Sequence, residues 1–103
     1  MENVEMTVEK IVNGEELTLK VTGRIDTTNA KEFEEKAISG LEDVKSLILD
    51  LAELDYISSA GLRVVLVLIK QMKRQGSMLI TNTNEMVKEI FEVTGFADLV
   101  DVK

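Results

Sequence analysis

The sequence predicts an α/β domain on a mixed β-sheet, with an opening antiparallel hairpin followed by helices that alternate with parallel strands. Three observations carry this prediction. Asn13-Gly14 separates two segments in which apolar and polar residues alternate. Two short apolar runs, Ser46 to Leu51 and Ser77 to Thr81, show no helical period. Longer stretches between and after them repeat apolar residues at steps of three and four.

The first two strands run from Met6 to Val12 and from Leu17 to Val21, with Met6, Val8, Ile11 and Val12 facing Leu17, Leu19 and Val21. Asn-Gly readily takes the positive φ angles of a type I′ turn, with a loop that runs on into Glu15 as the alternative, and Gly23 closes the second strand. Ala30, Phe33, Ala37, Ile38 and Leu41 mark one face of a helix over Asn29 to Leu41, capped by Thr28 or Asn29. "SLILDL" at Ser46 to Leu51 reads as a buried strand and the following "AELDYI" as a turn.

Ser59 to Gln75 reads as a helix with Leu62, Val65, Leu66, Ile69 and Met72 as its core stripe. "VVLVLI" favours a strand on propensity alone. Length, the serines at the start, and Lys70, Lys73 and Arg74 ahead of Gly76 outweigh it. "SMLIT" gives another short strand. Asn84 to Thr94 gives a helix with Met86 or Val87, Ile90 and Phe91 on one face and Gly95 at its end, and Val100 to Val102 a last short strand. Alternating helices and strands imply parallel pairing through crossover helices, here with one antiparallel edge strand. The C-terminal ends of strands two, three and four then share a rim that carries Asp26, "LDYISSAGL" and "TNTN" at Thr81 to Asn84.

A length of 103 residues with 45% hydrophobic content suits one core, hence one domain over residues 1–103. Twelve Lys and Arg against 19 Asp and Glu leave a formal charge of −7, which repels phosphate backbones and anionic membranes on average. Nucleic acid and membrane are therefore not expected partners. Without Cys there are no disulfides, thiolate metal sites or thiol catalysis, and without His the usual general base and the commonest metal ligand are missing. The start, "MENVEMTVEK", lacks the basic and apolar regions of a signal peptide, and the longest apolar run, Val64 to Ile69, falls far short of the ~20 residues that span a bilayer. A cytoplasmic protein without metal or cofactor is expected.

The rim offers little catalytic chemistry. A serine nucleophile has no histidine to activate it, and neither G-x-S-x-G nor S-x-x-K occurs. Asp50 resembles the phosphoaccepting aspartate of receiver domains, but those need an acidic pair on another strand end, and only Asp26 stands there. Phosphate-binding glycine loops are absent. The serine pair Ser58-Ser59 remains. A helix N-terminus has free N–H groups and a partial positive charge, so a phosphate of about −1.5 to −2 is tolerated there. Serine is also a common N-cap, worth about 1 kcal/mol, and capping alone explains one of the two. Adjacent serines followed by the small Ala60 and by Gly61 suit a modifiable turn and narrow the preference for plain capping without reversing it.

"LILDLAELDYISSAGLRVVLVLIKQMKRQG" closely resembles the central motif of the STAS domain, in its stand-alone bacterial form, the anti-sigma factor antagonists. "GRID" at Gly23 to Asp26 and "NTNEMVKEIFEVTGF" at Asn82 to Phe96 also match, so the resemblance covers nearly the whole chain. It implies a STAS-type fold and a non-enzymatic switch: the unphosphorylated protein binds an anti-sigma factor that is also a serine kinase, releasing the sigma factor, and a PP2C-type phosphatase resets it. It implies Ser59 as phosphoacceptor, with Ser58 as the competing alternative because it stands where aspartate is frequent in the family. The implied partner surface is Asp26, Tyr56, Ser58, Ser59, Ala60, Gly61 and Leu62. The alternative is a scaffold or sensory STAS module that binds a protein or small ligand without phosphorylation. Arg63, Lys70 and Arg74 lie along one helix side and read as a solvated face.

Overall fold

The computed structural model describes residues 6–103, so the acidic segment expected not to be a leader lies partly outside the described residues. Strands β1 (Thr7–Asn13) and β2 (Glu16–Ile25) form the antiparallel hairpin, with Val12 opposite Leu17 and Val8 opposite Val21. The hairpin forms, but Asn13 stays in β1 opposite Glu16 and the turn residues are Gly14, at φ 65°, and Glu15, so the expected pair of positive φ angles at Asn13-Gly14 is not adopted and the loop runs on into Glu15. Helix α1 (Ala30–Ile38) leads to β3 (Ser46–Ile57), α2 (Ser59–Gln75) to β4 (Ser77–Thr81), and α3 (Glu85–Val93) to the short β5 (Asp101–Val102). The sheet order is β1-β2-β3-β4-β5, parallel from β2 onward.

Each crossover steps one strand further in the same direction, and right-handed connections then lay all three helices on one face. Leu17, Leu19 and Val21 of β2 and Leu47, Leu49 and Leu51 of β3 meet Phe33, Val65, Leu68, Met72 and Phe91 in one core. The other face, with Thr18, Lys20, Thr22, Ser46, Ile48 and Asp50, stays half-open to solvent.

Several expectations are corrected. The "AELDYI" segment is not a turn: β3 runs for 12 residues to Ile57. Two bulges against β2, one between Lys20 and Thr22 and one between Gly23 and Arg24, each add a residue to β3. They break the period of two, so Leu51, Leu54 and Ile57 face inward at steps of three and imitate an irregular loop. Gly23 does not close β2. It sits within the strand at φ 96°, a conformation that costs glycine little, and β2 continues to Ile25.

Helix α1 ends at Ile38, before the expected Leu41; Ser39 is extended, Gly40 is left-handed at φ 77°, and Leu41 reaches the core from a 3-10 turn. On α2 the buried stripe is Gly61, Val64, Val65, Leu68, Ile69 and Met72, whereas Leu62 and Leu66 are only half-buried. Burial of this stripe overrides the strand propensity of the valines. On α3 Val87 is buried and Met86 is exposed. Ile11 and Val12 lie in the open on the edge strand, beyond the cover of the helices, and take no part in the core.

Candidate functional site

β2 and β3 end together at the pair Ile25 and Ile57, and the Ser58 N–H donates to the Ile25 carbonyl at 2.8 Å. That bond ties the start of α2 to the residue before Asp26. Beyond it the chain turns sharply. Asp26 Oδ1 accepts from the Thr28 hydroxyl at 2.6 Å and from the Thr28 N–H at 2.9 Å, while the Asp26 N–H donates to Asn29 Oδ1 at 2.9 Å. Asn29 Nδ2 reaches back to the Arg24 carbonyl at 2.9 Å. Asn29 therefore stands at the N-cap position of α1 while its side chain braces the loop, and neither it nor Thr28 caps the helix with a side-chain bond. The Thr28 hydroxyl, and then the Thr28 N–H, hold the Asp26 carboxyl below its ordinary pKa.

Ser58 has extended backbone (φ −87°, ψ 174°) and its Oγ accepts from the Gly61 N–H at 3.3 Å, while its carbonyl takes the first helical bond from Leu62 at 2.9 Å. It is the N-cap of α2. Ser59 is the first helical residue, exposed, and its hydroxyl has no hydrogen-bond partner among the described residues. The two serines are thus unequal: one oxygen is engaged in holding the helix start and the other faces water.

Gly61 is buried because the helix start is pressed against the strand ends. A Cβ there would lie 2.6 Å from Ile25 Cγ2 and 2.7 Å from Ile57 Cγ1. Ala60 and Leu62 are half-buried beside it. Tyr56 is half-buried at the end of β3, with the Arg24 guanidinium 4.6 Å from its ring centroid, a cation–π stack between paired positions of β2 and β3. Asp26, Tyr56 and the Ser58-to-Leu62 turn therefore gather at one end of the sheet.

The remaining rim residues are structural. Asp50 Oδ1 accepts from the Ala52 N–H at 3.1 Å and from Asn82 Nδ2 at 3.0 Å, on the half-open sheet face, and is not paired with Asp26. Asn82 sits at φ 64°, a left-handed position asparagine tolerates. Asn84 caps α3 by accepting from the Val87 N–H at 2.8 Å, and its Nδ2 donates to the Leu54 carbonyl at 3.1 Å. β4 pairs with β3 only as far as Asp50 and Thr81, so Asn84 serves a β3 carbonyl beyond the end of that ladder. The Asn pair in "TNTN" was the sequence signal for this role, which spacing alone did not reveal.

Sequence reasoning also missed a cleft of about 420 Å³ between α1 and α2, walled by Ala30, Lys31 and Glu34 on one side and Ala60, Arg63 and Val67 on the other. It begins one residue from Ser59. Among the described residues no helix is long and apolar enough to cross a membrane.

The family model described as "STAS domain" matches residues 7–103. BtrV of Bordetella bronchiseptica, a candidate anti-sigma factor antagonist, is 38% identical over 82 residues, covering 78% of this chain and 71% of that protein. The anti-sigma-B factor antagonist of Bacillus subtilis is 29% identical over 101 residues, covering 97% of this chain and 91% of its own. The anti-sigma factor antagonist SpoIIAA in its unphosphorylated form has the same fold, with a TM-score of 0.78 at 19% identity over 96% of this chain and 88% of that one. The phosphorylated form of Bacillus SpoIIAA gives a TM-score of 0.71 at 17% identity over 96% and 91%.

Proposed function

We propose, from the fact that this chain belongs to the STAS domain family, that it is an anti-sigma factor antagonist: a regulatory binding protein, not an enzyme, whose state of phosphorylation decides whether it holds its partner. Unphosphorylated, it binds an anti-sigma factor that is also a serine kinase and so frees the sigma factor; phosphorylated on Ser59, it lets go. A PP2C-type phosphatase restores the binding form, and the cycle runs in the cytoplasm. The partner surface is Asp26, Tyr56, Ser58, Ser59, Ala60, Gly61 and Leu62.

The names of the two relatives support the antagonist role. The observation that supports the acceptor is the inequality of the serines, an exposed and unpartnered Ser59 hydroxyl beside a Ser58 oxygen engaged as N-cap. A phosphate on Ser58 would have to displace the cap. One on Ser59 adds charge at the positive end of a 17-residue helix without breaking any hydrogen bond among the described residues. A partner packed over the same turn must then desolvate a charge of about −1.5 to −2, which costs several kcal/mol in a tight interface. At 1.4 kcal/mol per tenfold in affinity, that suffices to separate bound from released states.

Incubation with the cognate kinase and ATP, followed by peptide mass spectrometry, should place the phosphate on Ser59 and find none in Ser59→Ala protein. Phosphate found only elsewhere would refute the assignment. Ser59→Asp should weaken kinase binding with an unchanged circular-dichroism spectrum. The scaffold reading draws on Ser58 standing where the family often has aspartate; tight binding with no phosphate transfer at any residue would favour it.

A further inference from the structure

Resting on the phosphorylation of Ser59 proposed above, we infer that Arg63 is the intramolecular partner of that phosphate, and that the modification thereby reaches the α1–α2 cleft as well as the turn. Arg63 follows Ser59 by one helical turn on α2, a spacing that sets the two Cβ atoms about 5–6 Å apart on one face. Long side chains on a helix lean toward its N-terminus and cover the turn before their own Cα. Arg63 and Ala60 both line the cleft, and an arginine leaning in this direction reaches over Ala60 toward Ser59.

The charges around it favour the pairing. The cleft brings Arg63 and Lys31 together against one carboxylate, Glu34, in a chain whose formal charge is −7. Among the described residues the one ion pair is Lys36 with Glu32, so Arg63 holds no carboxylate within bonding distance. The chain beyond Ile25, whose carbonyl accepts the Ser58 N–H, carries Asp26, and its carboxyl is already engaged by the Thr28 hydroxyl and N–H. An anion on Ser59 is drawn toward Arg63, whose planar fork matches two phosphate oxygens. Pairing turns the guanidinium toward Ser59 and away from the cleft, leaving Lys31 and Glu34 on the α1 wall without a charge opposite them on the α2 wall. A partner that reads the cleft along with the turn then meets two changed surfaces.

The test installs phosphoserine at position 59 during translation and follows its second ionisation by 31P NMR across a pH titration. The protein with Arg63 intact should titrate about half a pH unit lower than Arg63→Gln, the size of an exposed i,i+4 pair strengthened by the second phosphate charge. Arg63→Lys should fall between them, since it keeps the charge and loses the fork. Arg74→Gln removes the same charge at the far end of α2 and should leave the midpoint where it is. Equal midpoints for the parent and the Arg63→Gln variant, or equal shifts from Arg63→Gln and Arg74→Gln, overturn the assignment. Because no kinase takes part, failure of a kinase to modify Ser59 would defeat the proposed function and leave this measurement intact.

Discussion

Gly61→Ala tests how the start of α2 is held, because two opposing effects meet at one atom. In a solvent-exposed helix interior the change is stabilising by about 0.8–1.0 kcal/mol, since alanine loses less backbone entropy. Here the new methyl would sit 2.6 Å from Ile25 Cγ2, 2.7 Å from Ile57 Cγ1 and 3.2 Å from Ile25 Cβ. Those side chains are 0% and 2% exposed and stand at the paired ends of β2 and β3, so neither can swing aside. Overpacking of this kind costs about 1–3 kcal/mol. The clash wins, and the net expectation is a loss of about 1 kcal/mol, with the α2 start pushed away from the strand ends and Ser59 moved with it. Urea denaturation followed by circular dichroism should show a lower midpoint at an unchanged slope, and thermal unfolding a drop of about 4–8 °C for a domain of this size. In a double-mutant cycle with Ile57→Ala, the two losses should sum to less than their separate values by about 0.5 kcal/mol or more, because removing the isoleucine makes room for the methyl. A stabilised Gly61→Ala protein, or strict additivity with Ile57→Ala, would refute the close-approach argument.

Three further outcomes are expected. Ser58→Ala should lose about 1 kcal/mol by urea titration through the vacated cap, while Ser58→Asp should hold stability, because a carboxylate accepts the Gly61 N–H equally well and suits the helix N-terminus. Asn84→Ala should cost about 1–2 kcal/mol, since it removes the α3 cap and leaves the Leu54 carbonyl without its donor; a near-neutral result by the same titration would deny Asn84 that double role. Thr28→Val should raise the Asp26 pKa, read from carboxyl 13C shifts. A carboxylate with a depressed folded pKa adds stability that is present above its unfolded pKa of about 3.9 and is lost as pH falls through the folded value. The variant should therefore show a weaker acid-side loss of stability than the parent.

The elements that were legible in the sequence are those in which one physical rule acts alone. Asn13-Gly14 announced the hairpin because glycine readily takes the positive φ such a tight turn needs, although the turn itself is Gly14-Glu15 with Asn13 still paired to Glu16. The stripe of α2 was legible in outline from length and end signals, though the buried rows proved to include Val64 and Leu68 in place of Leu62 and Leu66. Reading failed where tertiary pairing alters a local period. The two bulges of β3 are imposed by its register against β2, and nothing within "AELDYI" states that register. Ile11 and Val12 were misplaced for a related reason: alternation marks a strand but not whether any helix covers it. At the site, "SSAG" pointed to the turn, whereas which serine is the cap and which faces water follows from the backbone angles of Ser58.

The bulges of β3 also bear on how such a chain can vary in length. Between the pairs Lys20–Asp50 and Ile25–Ile57, β3 lays down more residues than β2, and the surplus points outward, at Ala52 with Glu53 and at Asp55 with Tyr56. Each bulge absorbs its own extra residue, so the inward series resumes in step and the core is not turned inside out. A bulge can therefore take up the insertion or loss of a single residue in this stretch while the start of α2 stays anchored to Ile25. The outward side chains just before the serines, Ala52, Glu53 and Asp55, are then the part of the rim least constrained by the core.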